Sequence, residues 1–160
     1  MSVDDYAIRD VLGGAGATCP QILELLPDWF GIEEANEHYA DVADTAPGVV
    51  VAHDGSDVGI TTVVHHSAFA AEIFLMAVAP SHHRRGIGSM MLQHVEADLA
   101  RSGVEFLQVK TLSASNPDEG YAKTRQFYLS YGFRPLEEFP TLWAPENPAL
   151  QLIKTVTPAP

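Results

Sequence analysis

The chain has 160 residues, of which 46% are hydrophobic, and its formal net charge is −12. This length fits one domain with a substantial core, so we expect residues 1–160 to form a single domain. The acidity argues against a nucleic-acid-binding protein, which needs a basic face, and no apolar run reaches the roughly 18 residues of a membrane span.

The N-terminal segment MSVDDYAIRD lacks the basic and apolar regions of a secretory signal. One cysteine, Cys19, excludes an intrachain disulfide, and together these features predict a cytoplasmic protein. The acidity has two explanations that composition alone leaves open. It keeps soluble molecules apart, or it draws a cationic substrate towards the protein.

Periodicity in the first half of the chain predicts strands and two helices. The apolar spacing of Ile22, Leu25, Leu26, Trp29 and Phe30 predicts an amphipathic helix that begins near Pro20. Acidic residues in its first turn support a second helix over 32–43. Strands are predicted at 6–12, 48–54, 58–66 and 70–78, with Asp54-Gly55 as a hairpin turn.

The second half predicts helices at 86–103 and 121–132, with Gly103 and Gly132 as their stops. Strands are predicted at 104–112, 133–139 and 149–156. The order is β, two helices, three strands, then α, β, α, β, β. It indicates a mixed α/β (α+β) sheet with a strand–helix–strand unit at its centre. A doubly wound fold would alternate more regularly and is disfavoured.

The segment HHRRGIGSMM (82–91) joins a strand to a helix and carries two glycines. A helix N-terminus has unpaired N–H groups, and glycine lets a ligand approach the backbone, so the segment is a candidate phosphate site. It lacks the lysine of a P-loop and the third glycine of a dinucleotide fingerprint. A simple helix entry is the alternative.

Two motifs resemble those of the GCN5-related N-acetyltransferase (GNAT) family. The first, VAPSHHRRGIGSMML (78–92), is similar to its acetyl-CoA-binding motif, V-x-P followed by [Arg/Gln]-x-x-G-x-[Gly/Ala]. The second, FYLSYGF (127–133), resembles the family's F-Y-x-x-x-G-F. The element order also matches over 6–156. The resemblance implies a GNAT-type, mostly antiparallel sheet of six to seven strands flanked by about four helices.

The resemblance implies which residues bind acetyl-CoA, the cosubstrate. His83 stands where the family has Arg or Gln, and the family's contacts to the pyrophosphate are mainly backbone N–H groups. The implied pyrophosphate-binding residues are His83, Arg84, Arg85, Gly86, Ile87, Gly88 and Ser89. The backbone of Met76, Ala77 and Val78, at the end of a strand that bulges in the family, is implied to bind pantetheine and polarise the thioester carbonyl.

Two further residues take catalytic roles by the same resemblance. Tyr128 matches the general acid that protonates the departing CoA thiolate; the alternative is one more ring on an aromatic helix face. Glu72 interrupts an apolar strand, where a carboxylate is costly unless it is paired or functional. It matches a glutamate that serves as base through water; the alternative is a strand-end carboxylate facing solvent.

The expected reaction is acetyl transfer to a primary amine of a small molecule or peptide, by direct attack in a ternary complex. The rivals are a non-catalytic acyl-CoA-binding sensor or interaction module, and an acyltransferase that uses another acyl chain or an oxygen acceptor. We expect no metal, because His65 and His66 are adjacent on a strand and point to opposite faces. We also expect no membrane or nucleic-acid partner, and the family suggests a homodimer.

Four aromatic residues are candidates for the walls of the acceptor-binding site, although core packing is the stronger explanation for each. They are Trp29, Phe30, Tyr39 and Trp143.

Overall fold

The computed structural model describes residues 2–160, apart from the side chain of Val3. The described residues form four α-helices: α1 (Thr18–Leu23), α2 (Glu33–Thr45), α3 (Ile87–Arg101) and α4 (Glu119–Tyr131). The seven strands are β1 (Ala7–Leu12), β2 (Pro47–His53), β3 (Ser56–His65), β4 (Ala70–Val78), β5 (Phe106–Leu112), β6 (Arg134–Ala144) and β7 (Asn147–Thr155). A short 3-10 turn, Pro80–His82, precedes α3.

The strand order is β1-β2-β3-β4-β5-β7-β6. The pairs β1/β2, β2/β3, β5/β7 and β6/β7 are antiparallel. This is the mixed, mostly antiparallel α/β fold with seven strands and four helices that the sequence predicts. Among residues 2–160, no helix is long and apolar enough to cross a membrane.

The residues group into two compact units, Met1–Val64 with Ile73–Asp98, and His65–Glu72 with Leu99–Pro160. The first unit has a core of buried side chains from α1, α2, β2 to β4 and the loops that flank α1. Its members are Ala15, Cys19, Ile22, Leu23, Leu26, Ala43, Val50, Ile60, Leu75 and Ala77. Interior positions are apolar because their burial removes about 25 cal/mol of unfavourable hydration per Å².

The second unit contains β5, β6, β7 and α4. Strand β5 alternates: Leu107, Val109 and Thr111 are buried, whereas Gln108 and Lys110 are only partly buried. Side chains along a strand point alternately to its two faces, so Gln108 and Lys110 share one face. That face carries these two polar side chains, whereas Leu107 and Val109 lie on the opposite, buried face.

The first predicted helix is wrong in extent. Helix α1 ends at Leu23, and Leu25 is 54% exposed. Pro27 has no N–H to donate to a preceding carbonyl, and it disfavours helical geometry at Leu26. The N–H of Leu26 instead bonds to the Leu23 carbonyl three residues back, as in a 3-10 turn.

The predicted turns and the later helices are confirmed. Asp54 and Gly55 both have positive φ, 49° and 79°, as a two-residue hairpin turn requires. Gly103 follows α3 with φ of 80°, and Gly132 follows α4 with φ of 121°. The strand predicted at 133–139 is longer, since β6 continues to Ala144.

Asp57 connects three segments of the first unit. Its carboxylate accepts hydrogen bonds from the Arg9 guanidinium at 2.7 and 2.9 Å and from the Thr18 hydroxyl at 3.0 Å. The hydrogen bond from Arg9 is the main reason that the pKa of Asp57 lies below its ordinary value. Strand β1, strand β3 and the start of α1 are thereby linked.

Asp57→Asn should lower the free energy of unfolding by about 1–2 kcal/mol at pH 7, because one bidentate ion pair and one hydrogen bond weaken. A carboxyl whose pKa is lower in the folded state than in the unfolded state stabilises the fold at pH values above its unfolded pKa. This contribution is lost as the pH falls through the folded pKa. Urea unfolding should therefore show the two proteins converging below about pH 4. Asp54→Asn, at an exposed carboxylate, is the control; an equal loss there would contradict this role.

Candidate active site

The loop between β4 and α3 presents backbone N–H groups. The first hydrogen bond of α3 joins the Met90 N–H to the Gly86 carbonyl at 2.9 Å. The N–H groups of Ile87, Gly88 and Ser89 consequently have no partner within the helix. Arg84 and Gly86 have positive φ, 60° and 81°, so the chain makes a sharp left-handed turn as it enters the helix. These N–H groups suit an anion such as a phosphate.

The His83 ring stabilises this loop from within. Its Nε2 lies 2.6 Å from the Val78 carbonyl oxygen, five residues earlier, and the ring packs edge-on against Trp29. A carbonyl accepts, so Nε2 carries the hydrogen in this contact. One His83 nitrogen is thereby committed to the loop, and the carbonyl of Val78, one of the expected pantetheine contacts, is already bonded.

His82 belongs to a cluster of rings with Tyr6 and His53. The Tyr6 hydroxyl lies 2.9 Å from His82 Nδ1, and the His53 and His82 ring centres are 5.2 Å apart. The pKa of His82 lies below its ordinary value, first because burial disfavours its charged form and then because His53 and Arg85 are nearby. The lowered pKa favours the neutral form of the His82 ring beside the loop.

The Glu72 side chain is 7% exposed and is surrounded by donors within the second unit. Lys110 Nζ lies 3.0 and 3.1 Å from its two oxygens, and His66 Nε2 lies 2.5 Å from Oε2. Gln108 Nε2 is 3.3 Å from the same oxygen. The carboxylate is thus paired, and the alternative of a strand-end group facing solvent is wrong.

Tyr128 is held by the end of α4. The N–H of Phe133 bonds to the Tyr128 carbonyl at 3.0 Å, and the N–H of Gly132 bonds to the Leu129 carbonyl at 3.2 Å. This is a Schellman motif, in which the side chains at the positions of Tyr128 and Phe133 commonly pack together. The Tyr128 and Phe133 rings do so, edge to face with centres 5.4 Å apart. The motif FYLSYGF therefore fixes a ring as well as ending a helix.

The sequence-predicted site residues are divided between the two units. Residues 76–78 and 83–89 lie in the first unit, whereas Glu72 and Tyr128 lie in the second. Sequence reasoning missed Lys110 and Gln108 as partners of Glu72. The available signal was that these two polar residues alternate with buried residues along β5, but nothing in the sequence connected them to Glu72. It weighed His66 only as a metal ligand.

Three of the candidate acceptor walls pack against the core. Trp29, Phe30 and Tyr39 are partly buried on the apolar cluster of the first unit, whereas Trp143 is 48% exposed. Ligand atoms of Asp10, His94 and Asp98 lie within 4.8 Å of one another. A 2.7 Å contact from His94 to Asp10 accounts for the closest of these pairs, and acidic surface groups of this kind are common without an ion.

A domain model described as "Acetyltransferase (GNAT) domain" matches residues 45–135, more than half of the chain. The protein therefore belongs to the GNAT acetyltransferase family. Streptothricin acetyltransferase of Streptomyces lavendulae is 29% identical over 116 residues. That match covers 69% of this chain and 58% of the relative, so the chain accounts for little more than half of the relative's length.

Solved structures share the fold at low identity. One is described as a putative acetyltransferase of the GNAT family from Desulfovibrio desulfuricans; it has a TM-score of 0.82 at 18% identity, over 95% of this chain and 99% of that one. Another is a GNAT family acetyltransferase from Elizabethkingia anophelis with acetyl-CoA bound. Its TM-score is 0.71 at 18% identity, over 95% of this chain and 99% of that one.

Cys19 should be inert towards thiol reagents in the native protein. It is fully buried, and burial raises its pKa to about 11, so only about one molecule in a thousand carries the reactive thiolate at pH 8. Titration with a chromogenic disulfide should detect one thiol after denaturation and almost none before it. Rapid labelling of the native protein would contradict this.

Proposed function

We propose that this protein is an acetyl-CoA-dependent N-acetyltransferase that acetylates a primary amine by direct attack in a ternary complex. The observation that carries the proposal is the left-handed turn at Arg84 and Gly86, which presents the N–H groups that open α3. Because the chain belongs to the GNAT acetyltransferase family, we infer that the anion bound at this site is the pyrophosphate of acetyl-CoA. The acceptor is a small molecule or a peptide, and its chemistry beyond the amine is open.

The pyrophosphate of acetyl-CoA would lie against residues 83–89, with the backbone donors of Ile87, Gly88 and Ser89 making the main contacts. Arg84 is exposed and adds positive charge beside them. Residues 76–78 would bind pantetheine through their backbone. The single-domain organisation, the homodimer and the cytoplasmic location stay predictions.

Two side chains would move protons. Tyr128 would protonate the departing thiolate, since a phenol hydroxyl is a proton donor that its ring packing holds in one orientation. Glu72 would assist in removing the proton from the acceptor amine, because a protonated amine has no lone pair for attack. In this mechanism acetyl-CoA supplies the acetyl group.

The test of the proposed function is release of free CoA thiol from acetyl-CoA in the presence of a panel of amines, with products identified by a 42 Da mass increase. We expect thiol release that depends on both substrates. A protein that binds acetyl-CoA but acetylates no amine would be a binding module, and transfer to a hydroxyl would identify an O-acyltransferase. Either result would overturn the proposal.

Tyr128→Phe should lower kcat by about 100-fold or more, the usual contribution of a general acid, while the KM for acetyl-CoA changes by less than about twofold. Phenylalanine retains the packing on Phe133, so the fold should persist. Tyr131→Phe, one helical turn further on, is the matched control, and steady-state kinetics give the measurement. Equal activity of both variants would remove Tyr128 from the mechanism.

His83→Ala should weaken acetyl-CoA binding less than tenfold, because the main donors to the pyrophosphate are backbone N–H groups. Loss of the bond to Val78 should lower stability by about 1 kcal/mol. Gly86→Ala should weaken binding more, since a residue with a Cβ is strained at φ of 81°. Calorimetric titration of acetyl-CoA compares the two. A collapse of affinity in His83→Ala alone would mean that its side chain binds the ligand.

A further inference from the structure

The contacts of Glu72 determine which nitrogen of His66 carries a proton. An ionised carboxylate only accepts hydrogen bonds, and the Glu72 carboxylate accepts from the Lys110 ammonium at 3.0 and 3.1 Å. The contact of 2.5 Å from Oε2 to His66 Nε2 therefore needs a hydrogen on Nε2. In the neutral ring the lone pair is then on Nδ1.

The Glu72 carboxylate and the His66 ring differ in their accessibility to solvent. The Glu72 side chain is 7% exposed, and Lys110, His66 and Gln108 already occupy its oxygens. The His66 side chain is 44% exposed, and Nδ1 has no hydrogen-bond partner among residues 2–160. An ammonium group that arrives from solvent can therefore reach Nδ1 of His66, whereas the carboxylate is covered.

The ring is held in place by the turn between β3 and β4. The His66 N–H bonds to the Ala70 carbonyl at 2.9 Å, so the two residues face each other across the turn. Glu72, two residues after Ala70 on the same strand, lies on the same face. Within the turn, the Ser67 hydroxyl accepts hydrogen bonds from the N–H groups of Phe69 and Ala70 at 3.1 and 3.2 Å.

A second layer holds the carboxylate. Gln151 donates to the Gln108 side-chain oxygen at 2.6 Å, which leaves the Gln108 amide nitrogen directed at Glu72. Lys110 and Gln108 both lie on β5, and Gln151, opposite Lys110 on the neighbouring strand β7, positions the Gln108 amide. A histidine oriented by a carboxylate that is itself anchored is the arrangement used to activate imidazole as a base.

We propose that His66 is the base that removes the proton from the acceptor amine, and that Glu72 is the positioning residue that acts through it. This inference rests on the proposed N-acetyltransferase function. A proton moves from the substrate ammonium to Nδ1, which leaves a neutral amine and an imidazolium. The amine lone pair forms the C–N bond, the C–S bond breaks with its electron pair on sulfur, and Tyr128 protonates that sulfur. The amide nitrogen releases its second proton to water, as does the imidazolium, and Tyr128 regains one from water.

Glu72 and Lys110 form a pair that is neutral overall. The His66 ring contacts Oε2 of this carboxylate, so an imidazolium formed there would lie directly against the negative member of the pair. Lys110 Nζ lies 3.1 Å from the same oxygen. Direct protonation of Glu72 would instead leave Lys110 without its counter-ion in a partly buried position, which is costly. Of the two groups, the imidazole is therefore the one whose free nitrogen can take the proton without breaking the Glu72–Lys110 pair.

The kinetic test uses His66→Gln, whose amide can still donate to Glu72 but cannot accept and hold a proton. His65→Gln, at the adjacent exposed position, is the matched control. We expect His66→Gln to lower kcat by about 100-fold at pH 7 with acetyl-CoA affinity unchanged. The loss of kcat should become about tenfold smaller for each unit by which the pH is raised, because more of the amine is then already neutral. A variant with wild-type kcat and pH profile would overturn the inference.

Glu72→Gln distinguishes the positioning role from direct catalysis. If Glu72 acts through His66, this variant and His66→Gln should lose similar activity, and the double variant should lose little more than either. If Glu72 is itself the base, Glu72→Gln should be inactive while His66→Gln keeps most of its activity. That outcome would overturn the inference and leave the proposed function intact.

Nitrogen-15 spectra of the histidine rings test the inference without any substrate. The wild type should show His66 protonated at Nε2, and Glu72→Gln should move hydrogen towards Nδ1, because an amide can donate to Nε2. His66→Gln identifies the resonance by its disappearance. An Nδ1–H ring in the wild type would overturn the inference. If the ring shows Nε2–H but no amine is acetylated, the proposed function has failed, and the role of His66 as its base fails with it.

Discussion

A carboxylate that is removed from water has to be surrounded by donors, and in this protein that requirement organises the polar side of the second unit. Glu72 draws the ammonium of Lys110, the amide of Gln108 and the imidazole of His66 to one point. Removing Lys110 would leave Glu72 Oε1 without its donor in this network, and an unsatisfied buried polar group costs about 1–3 kcal/mol. The network therefore constrains the β3–β4 turn, β5 and β7 together, and it leaves one accessible nitrogen.

Two short motifs contribute to the fold and to the candidate site with the same atoms. The glycine of FYLSYGF ends α4 in the left-handed region, and the residues on either side of the stop bring the Tyr128 and Phe133 rings into contact. The glycine turn before α3 likewise starts a helix and presents its N–H groups. In both cases a helix end has unpaired backbone groups, and the sequence that satisfies or exposes them also forms part of the candidate site.

Much of the fold could be predicted because its signals are local. The repeat of Ile87, Met91, Val95 and Leu99 fixes the buried face of α3, and Asp54-Gly55 forces a hairpin through the backbone freedom of its residues. The error in α1 has a local cause as well: Pro27 outweighs an apolar spacing that continues to Phe30. A pattern of side chains cannot keep a helix intact where the backbone lacks a donor.

By itself, the sequence determined the family, the order of the elements, and the positions of Glu72, Tyr128 and the glycine turn. Only the tertiary structure decided what Glu72 touches. Its partners His66 and Lys110 are 6 and 38 residues away along the chain, and strand pairing rather than spacing brings them together. The same is true of His83, whose ring bonds to Val78 within the loop. Local patterns specify backbone conformation, whereas the pairing of buried polar groups depends on which strands become neighbours.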